Sequence, residues 1–132
     1  MLKAVIDTNV LVSALLSPSG KPAKVLDNVL NGSVVMCYDS RMIAECQAVL
    51  LRPKFGFAKK LVQQVLSFII YSGLSIVPIS IEAVFTDEDD KKFYEVAKTA
   101  EAYLVTGNVK RFPEEPRVMT PQEFLCVVMG NR

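Results

Sequence analysis

The sequence has no histidine. Without an imidazole there is no Ser-His-Asp triad and no ordinary histidine zinc site. Chemistry here must run on carboxylates, lysine, hydroxyls or a bound metal. Aromatic residues make up only 8% of a chain that is 51% hydrophobic, so aliphatic side chains dominate. The three cysteines, Cys37, Cys46 and Cys126, form no CxxC pair. Their odd number and apolar neighbours suggest reduced, packed thiols in a cytoplasmic protein. No long hydrophobic run occurs: the stretch from Leu66 to Tyr71 falls far short of a membrane span. With an acid already at position 7, and no longer apolar run before a small-residue cleavage site, no signal peptide is expected. Nor is there an excess of one charge. A net charge of +1 is not the strongly basic balance of a protein that holds duplex DNA through phosphate contacts alone.

What is present is an alternation of short aliphatic runs and amphipathic segments. With 132 residues the chain is expected to form a single domain over 1–132 with a core of its own. Leu2 to Ile6 reads as a buried strand ending at Asp7, and Val10 to Leu16 as a helix closed by Ser17-Pro18-Ser19-Gly20. Pro22 opens a second helix that stops at Asn31-Gly32. Val34 to Tyr38 is a strand, and Asp39-Ser40 caps a helix from Arg41 to about Leu51. Phe57 to Ser72 is a longer helix with Leu61, Val65, Phe68 and Ile69 on one stripe. Leu74 to Ile79 alternates as a strand. A helix from about Asp90 to Glu101 precedes strands at Tyr103–Thr106 and Arg117–Met119. Thr120 and Glu123 form a capping box for a last helix to about Met129. Strands alternating with helices predict an α/β fold with a parallel sheet covered on both faces.

In such sheets ligands bind beyond the carboxyl ends of the strands. Asp7 directly follows the first strand, and Asp7-Thr8-Asn9 is a polar break after an apolar run. Glu45 lies a turn into the helix after the second strand, although a helical glutamate is ordinarily solvated. Asp87-Glu88-Asp89-Asp90 precedes a helix, where the dipole favours acids whatever their use; periodicity does not say which one serves a site. Asn108 follows the fourth strand beside Gly107, a common turn pair. If these side chains converge, two carboxylates roughly 4 Å apart repel by about 4 kcal/mol at an effective dielectric near 20. They must share a proton or hold a cation. Oxygen ligands without histidine suit Mg²⁺ or Mn²⁺, and such an ion orients a phosphodiester and stabilises the charge of its displacement.

Several segments resemble the PIN-domain family. Val5-Ile6-Asp7-Thr8-Asn9-Val10-Leu11 is similar to its opening motif, and Glu45 with Val49-Leu50 to its second acidic position. Asp87 to Phe93 resembles the third motif, and Ala102 to Asn108 the fourth. Val118 to Leu125 is similar to the closing strand and helix. The resemblance implies a three-layer α/β/α sandwich around a mainly parallel sheet, and Mg²⁺- or Mn²⁺-dependent cleavage of single-stranded RNA. Asp7, Glu45, Asp90 and Asn108 match the catalytic, metal-binding positions. Asp90 fits better than Asp89, because Phe93 then faces the core while the acid faces the cleft. Asn108 stands where many relatives carry Asp, so it brings an oxygen without a charge. Thr8, Asn9 and Thr106 look like residues that orient the ligands. Small microbial members are commonly VapC-like toxins, which implies a homodimer and an antitoxin partner.

Lys21, Lys24, Arg52, Lys54, Lys59, Lys60, Lys110 and Arg111 are candidate phosphate contacts, with Lys110 and Arg111 nearest the expected site. Phe55 and Phe57 suit core packing better than base stacking. Two other readings compete. A degenerate PIN-like module would bind RNA or a protein without cutting, which Asn108 and the modest charge favour. A phosphate-transferring domain would use Asp7 as nucleophile, but no clear lysine-bearing loop follows a late strand.

Overall fold

The computed structural model describes residues 1–130. Among them, five strands form one parallel sheet: β1 (Leu2–Ile6), β2 (Val34–Tyr38), β3 (Leu74–Ser75), β4 (Tyr103–Val105) and β5 (Val118–Met119). Their order across the sheet is β3-β2-β1-β4-β5. Six helices flank it: α1 (Thr8–Leu16), α2 (Lys21–Leu30), α3 (Ser40–Leu50), α4 (Lys59–Ser72), α5 (Lys91–Ala100) and α6 (Pro121–Gly130). Helices α1, α2 and α6 pack together, as do α3, α4 and α5. The result is a three-layer α/β/α sandwich. All four strand pairings are parallel, as the fold class expected from the sequence implies.

Ala4, Val5 and Ile6 of the central strand β1 are fully buried, which is why its second half is a continuous aliphatic stretch instead of an alternating one. Met36, Leu50, Ile69, Phe93, Leu104 and Phe124 fill the core around it. The capping box at α6 forms as predicted: the Thr120 amide donates to Glu123 Oε1 at 3.0 Å, and the Glu123 amide to Thr120 Oγ1 at 3.2 Å.

Three expectations are corrected. The strand predicted over 74–79 pairs only at Leu74 and Ser75. The Ile76 amide still reaches Tyr38 O, but the Ile79 amide turns to Thr99 Oγ1 and that of Ile81 to Glu95 Oε2. Pro78 has no amide to lend a ladder, so side chains of α5 satisfy this edge. Helix α4 buries Val65 and Ile69 as expected, but Val62 and Leu66 complete its buried stripe, with Phe68 half-buried and Leu61 exposed. Cys37 and Cys46 are packed as expected, but Cys126 is exposed. No described helix is long and apolar enough to cross a membrane.

Candidate active site

The strand order reverses direction at β1, which has β2 on one side and β4 on the other. The crevice beyond the carboxyl ends at such a point is where open α/β sheets bind ligands. Ile6 pairs with Val105, and the Asp7 amide donates to Val105 O at 3.0 Å. Asp7 and Thr106 therefore leave their strands side by side.

Asp7 is also the N-cap of α1, its Oδ1 accepting the Asn9 amide at 3.4 Å. The polar break read from the sequence is thus the helix start, and α1 begins at Thr8, ahead of the predicted Val10. Thr106 Oγ1 donates to Asp7 Oδ2 at 2.9 Å and accepts the Asn108 amide at 3.1 Å. Asp7 is only 2% exposed. Burial pushes its carboxyl above the ordinary 3.8, against the opposing pull of Thr106, Arg111 and the Asn9 amide. A carboxylate desolvated this far either takes up a proton or is paired with a cation.

That cation is supplied within the chain. Asp90 ends a 3₁₀ turn (Glu88–Asp90) and is the N-cap of α5, again 2% exposed. Arg111 places Nε 2.9 Å from Asp90 Oδ2 and Nη2 on Asp90 Oδ1. Its Nη1 lies 3.5 Å from Asp7 Oδ2. One guanidinium thus serves two buried carboxylates in the fork geometry that arginine favours. The hydrogen bond to Asp90 holds Arg111 firmly protonated. Glu45, one turn into α3, has its own partners: Thr8 Oγ1 donates to Oε2 at 2.5 Å, and Lys92 Nζ stands 2.8 Å from Oε1.

Asp7, Thr8, Asn9, Glu45, Asp90 and Arg111 line one cleft of about 170 Å³, together with Val49, Arg52, Asp87, Asp89 and Phe93. Thr106 lies fully buried behind Asp7. Asn108 and Lys110 are exposed and do not belong to that lining; Asn108 meets the site through its backbone amide. Arg111, expected as a phosphate contact, has its guanidinium turned onto the acids. Phe93 is buried three residues after Asp90. Phe55 and Phe57 stack on each other with centroids 5.7 Å apart, partly buried against the core. A larger cavity, of about 370 Å³, opens at the amino ends of β4 and β5, where Lys98 and Glu115 already pair at 2.7 Å.

Sequence reasoning did not find Lys92. One signal was available: a lysine in the first turn of a helix sits unfavourably against the dipole, which hints that a partner elsewhere compensates. Among the described residues no three acidic side chains are grouped as a cation cage; Arg111 joins Asp7 to Asp90, and Lys92 pairs with Glu45. The donors nevertheless suit a hard cation. All are oxygens, two are buried, and the guanidinium marks a cation position shared by Asp7 and Asp90.

Fold and site together define an α/β protein with an acidic, cation-holding cleft at the switch point of its sheet. A family model described as the PIN domain matches residues 3–110, and the chain belongs to that family. It is 34% identical over 113 residues to MJ1680, an uncharacterized protein of Methanocaldococcus jannaschii, across 81% of this chain and 71% of that protein. Two crystal structures share the fold. PAE2754 from Pyrobaculum aerophilum superposes with a TM-score of 0.59 at 15% identity, covering 98% of this chain and 90% of its own. VapBC2 from Rickettsia felis, bound to a DNA fragment from its promoter, gives 0.57 at 18% identity, covering 90% and 97%.

Proposed function

We propose that this protein is a divalent-metal-dependent endoribonuclease that cleaves single-stranded RNA. In this reading residues 1–132 form a single PIN domain, of which the last two residues lie outside the described structure. It works in the cytoplasm as a homodimer and as the toxin of a toxin–antitoxin pair. The observation that carries the reading is the pair of buried carboxylates, Asp7 and Asp90, sharing one cation position beyond the carboxyl ends of β1 and β4. Family membership and the likeness in fold to a VapBC structure support it.

Asp7 and Asp90 would hold Mg²⁺ or Mn²⁺, with Glu45 at the mouth of the cleft as a third carboxylate. The ion would supply positive charge against the scissile phosphate and the charge that develops on displacement. Thr106 holds Asp7 in place through Oδ2, and Thr8 does the same for Glu45. Each acid is therefore aimed before a ligand arrives. Arg52, at the edge of the same cleft, is placed to meet a backbone phosphate, and Lys110 lies exposed nearby in sequence.

A mixed single-stranded RNA and a duplex of the same sequence, each with Mn²⁺, Mg²⁺ or EDTA, test this. Cleavage of the single strand alone, dependent on metal, is expected. One observation favours a second reading, a PIN module that binds without cutting: Asn108 lies exposed outside the cleft lining and brings no charge. RNA binding without cleavage in any of these metals would support that module instead.

A further inference from the structure

We infer that Arg111 is a displaceable internal counter-ion: it occupies the cation position between Asp7 and Asp90, so a divalent ion binds by expelling its guanidinium. The inference rests on the metal-dependent reading above and concerns what sets metal affinity at that site.

The geometry makes Arg111 a competitor instead of a neighbour. Its guanidinium touches both buried acids, so it fills the place a metal would take. Its charge also falls short. One positive charge is divided between two carboxylates, where a divalent ion brings two. Exchange is therefore driven by charge and opposed by loss of the fork's hydrogen bonds.

Arg111 is also free to leave. Its side chain is 30% exposed, whereas those of Asp7 and Asp90 are 3% exposed, so it approaches from the solvent side. It sits in a 3₁₀ turn (Val109–Arg111) whose backbone closes on itself: the Arg111 amide reaches Asn108 O and the Phe112 amide Val109 O, each at 3.2 Å. Buried Phe112 anchors the next residue. The side chain can swing outward while the backbone stays. Both cations lie over a ring, Arg111 over Phe112 at 5.9 Å and Lys92 over Phe93 at 5.0 Å, but the Lys92 side chain is only 11% exposed and its ammonium also donates to Asp89 O. It stays with Glu45 while Arg111 gives way.

Calorimetric titration with Mn²⁺ at constant ionic strength tests this on the wild-type protein, Arg111→Gln, Arg111→Lys and Lys110→Gln, with circular dichroism to verify each fold. Arg111→Gln should bind Mn²⁺ at least about tenfold more tightly than wild type, since the ion no longer has to break the charged fork. In EDTA it should melt lower than wild type, and Mn²⁺ should raise its melting temperature further. Arg111→Lys keeps the charge, and so the fold, but loses the fork; it should bind with intermediate affinity. Lys110→Gln removes the same charge one residue away from an exposed position, and should change affinity by less than about twofold because solvent screens it.

Wild-type affinity in both Arg111 variants would overturn the inference and leave the metal-dependent reading standing. An equal gain in Lys110→Gln would also overturn it, reducing the effect to net charge. Absence of Mn²⁺ binding in wild type and variants alike would overturn both.

Discussion

Thr106 donates its hydroxyl to Asp7 Oδ2 at 2.9 Å, joining two residues that stand 99 positions apart in the chain. The bond exists because β1 and β4 are neighbours in the sheet and both end at this level. It is wholly buried, so nothing replaces it when it is removed. Thr106→Val keeps the shape and deletes the donor, leaving a buried carboxylate oxygen with less support. We expect a loss of about 1–3 kcal/mol in stability, read as a lower urea midpoint with unchanged slope. Weaker Mn²⁺ binding should accompany it. An unchanged midpoint would mean that the hydroxyl does not hold Asp7.

Glu95 makes the pH dependence testable away from the cleft. It is 5% exposed, pairs with Arg41 Nη1 at 3.0 Å and accepts the Ile81 amide at 3.0 Å. Burial pushes its carboxyl up, but the Ile81 amide and Arg41 outweigh it and hold the group below its ordinary 4.5. A depressed folded-state pKa contributes stability that is present above the ordinary value and lost as the pH falls through the folded one. Glu95→Gln should therefore cost about 1–3 kcal/mol at neutral pH. The gap between variant and wild type should shrink as the pH drops below 4.5. Thermal melts across that range would show it; a gap independent of pH would not fit.

Gly73, between α4 and β3, is required by close approach. A Cβ there would lie 2.4 Å from Met36 O and 2.6 Å from Ile69 O, both backbone atoms. Neither can move without disturbing β2 or the end of α4. Gly73→Ala should destabilise by about 1–3 kcal/mol, visible as a drop in melting temperature. A neutral result would show that this edge of the sheet yields more easily than its packing suggests.

Much of this was legible because local chemistry and global fold agree. The aliphatic run at Leu2–Ile6, the Pro22 start of α2, the Asp39 cap and the Thr120–Glu123 box each carry their own signal. Asp7 stood out as an acid at the end of a buried run. What the chain did not disclose depends on contacts between distant residues. The Arg111 fork on Asp90 and the Lys92 pairing with Glu45 span 21 and 47 positions, and no spacing rule encodes them. The strand at Leu74 was expected, but its early end after Ser75 was not, because 74–79 alternates like a strand while the amides of Ile79 and Ile81 are satisfied by Thr99 and Glu95 from α5. The exposure of Asn108 likewise follows from the path of the turn after β4, which a Gly-Asn pair alone does not define.

The most direct test of the account is cleavage of a single-stranded RNA by the purified wild-type protein and by Asp7→Asn, side by side in Mn²⁺ and in EDTA. Asp7→Asn removes a buried charge without changing shape, so the fold should survive, as circular dichroism would verify. The account predicts cleavage by wild type in Mn²⁺, none in EDTA, and loss of at least about a hundredfold in the variant, the scale expected when a group that stabilises developing charge is removed. Equal cleavage by both proteins, or cleavage that persists in EDTA, would contradict it.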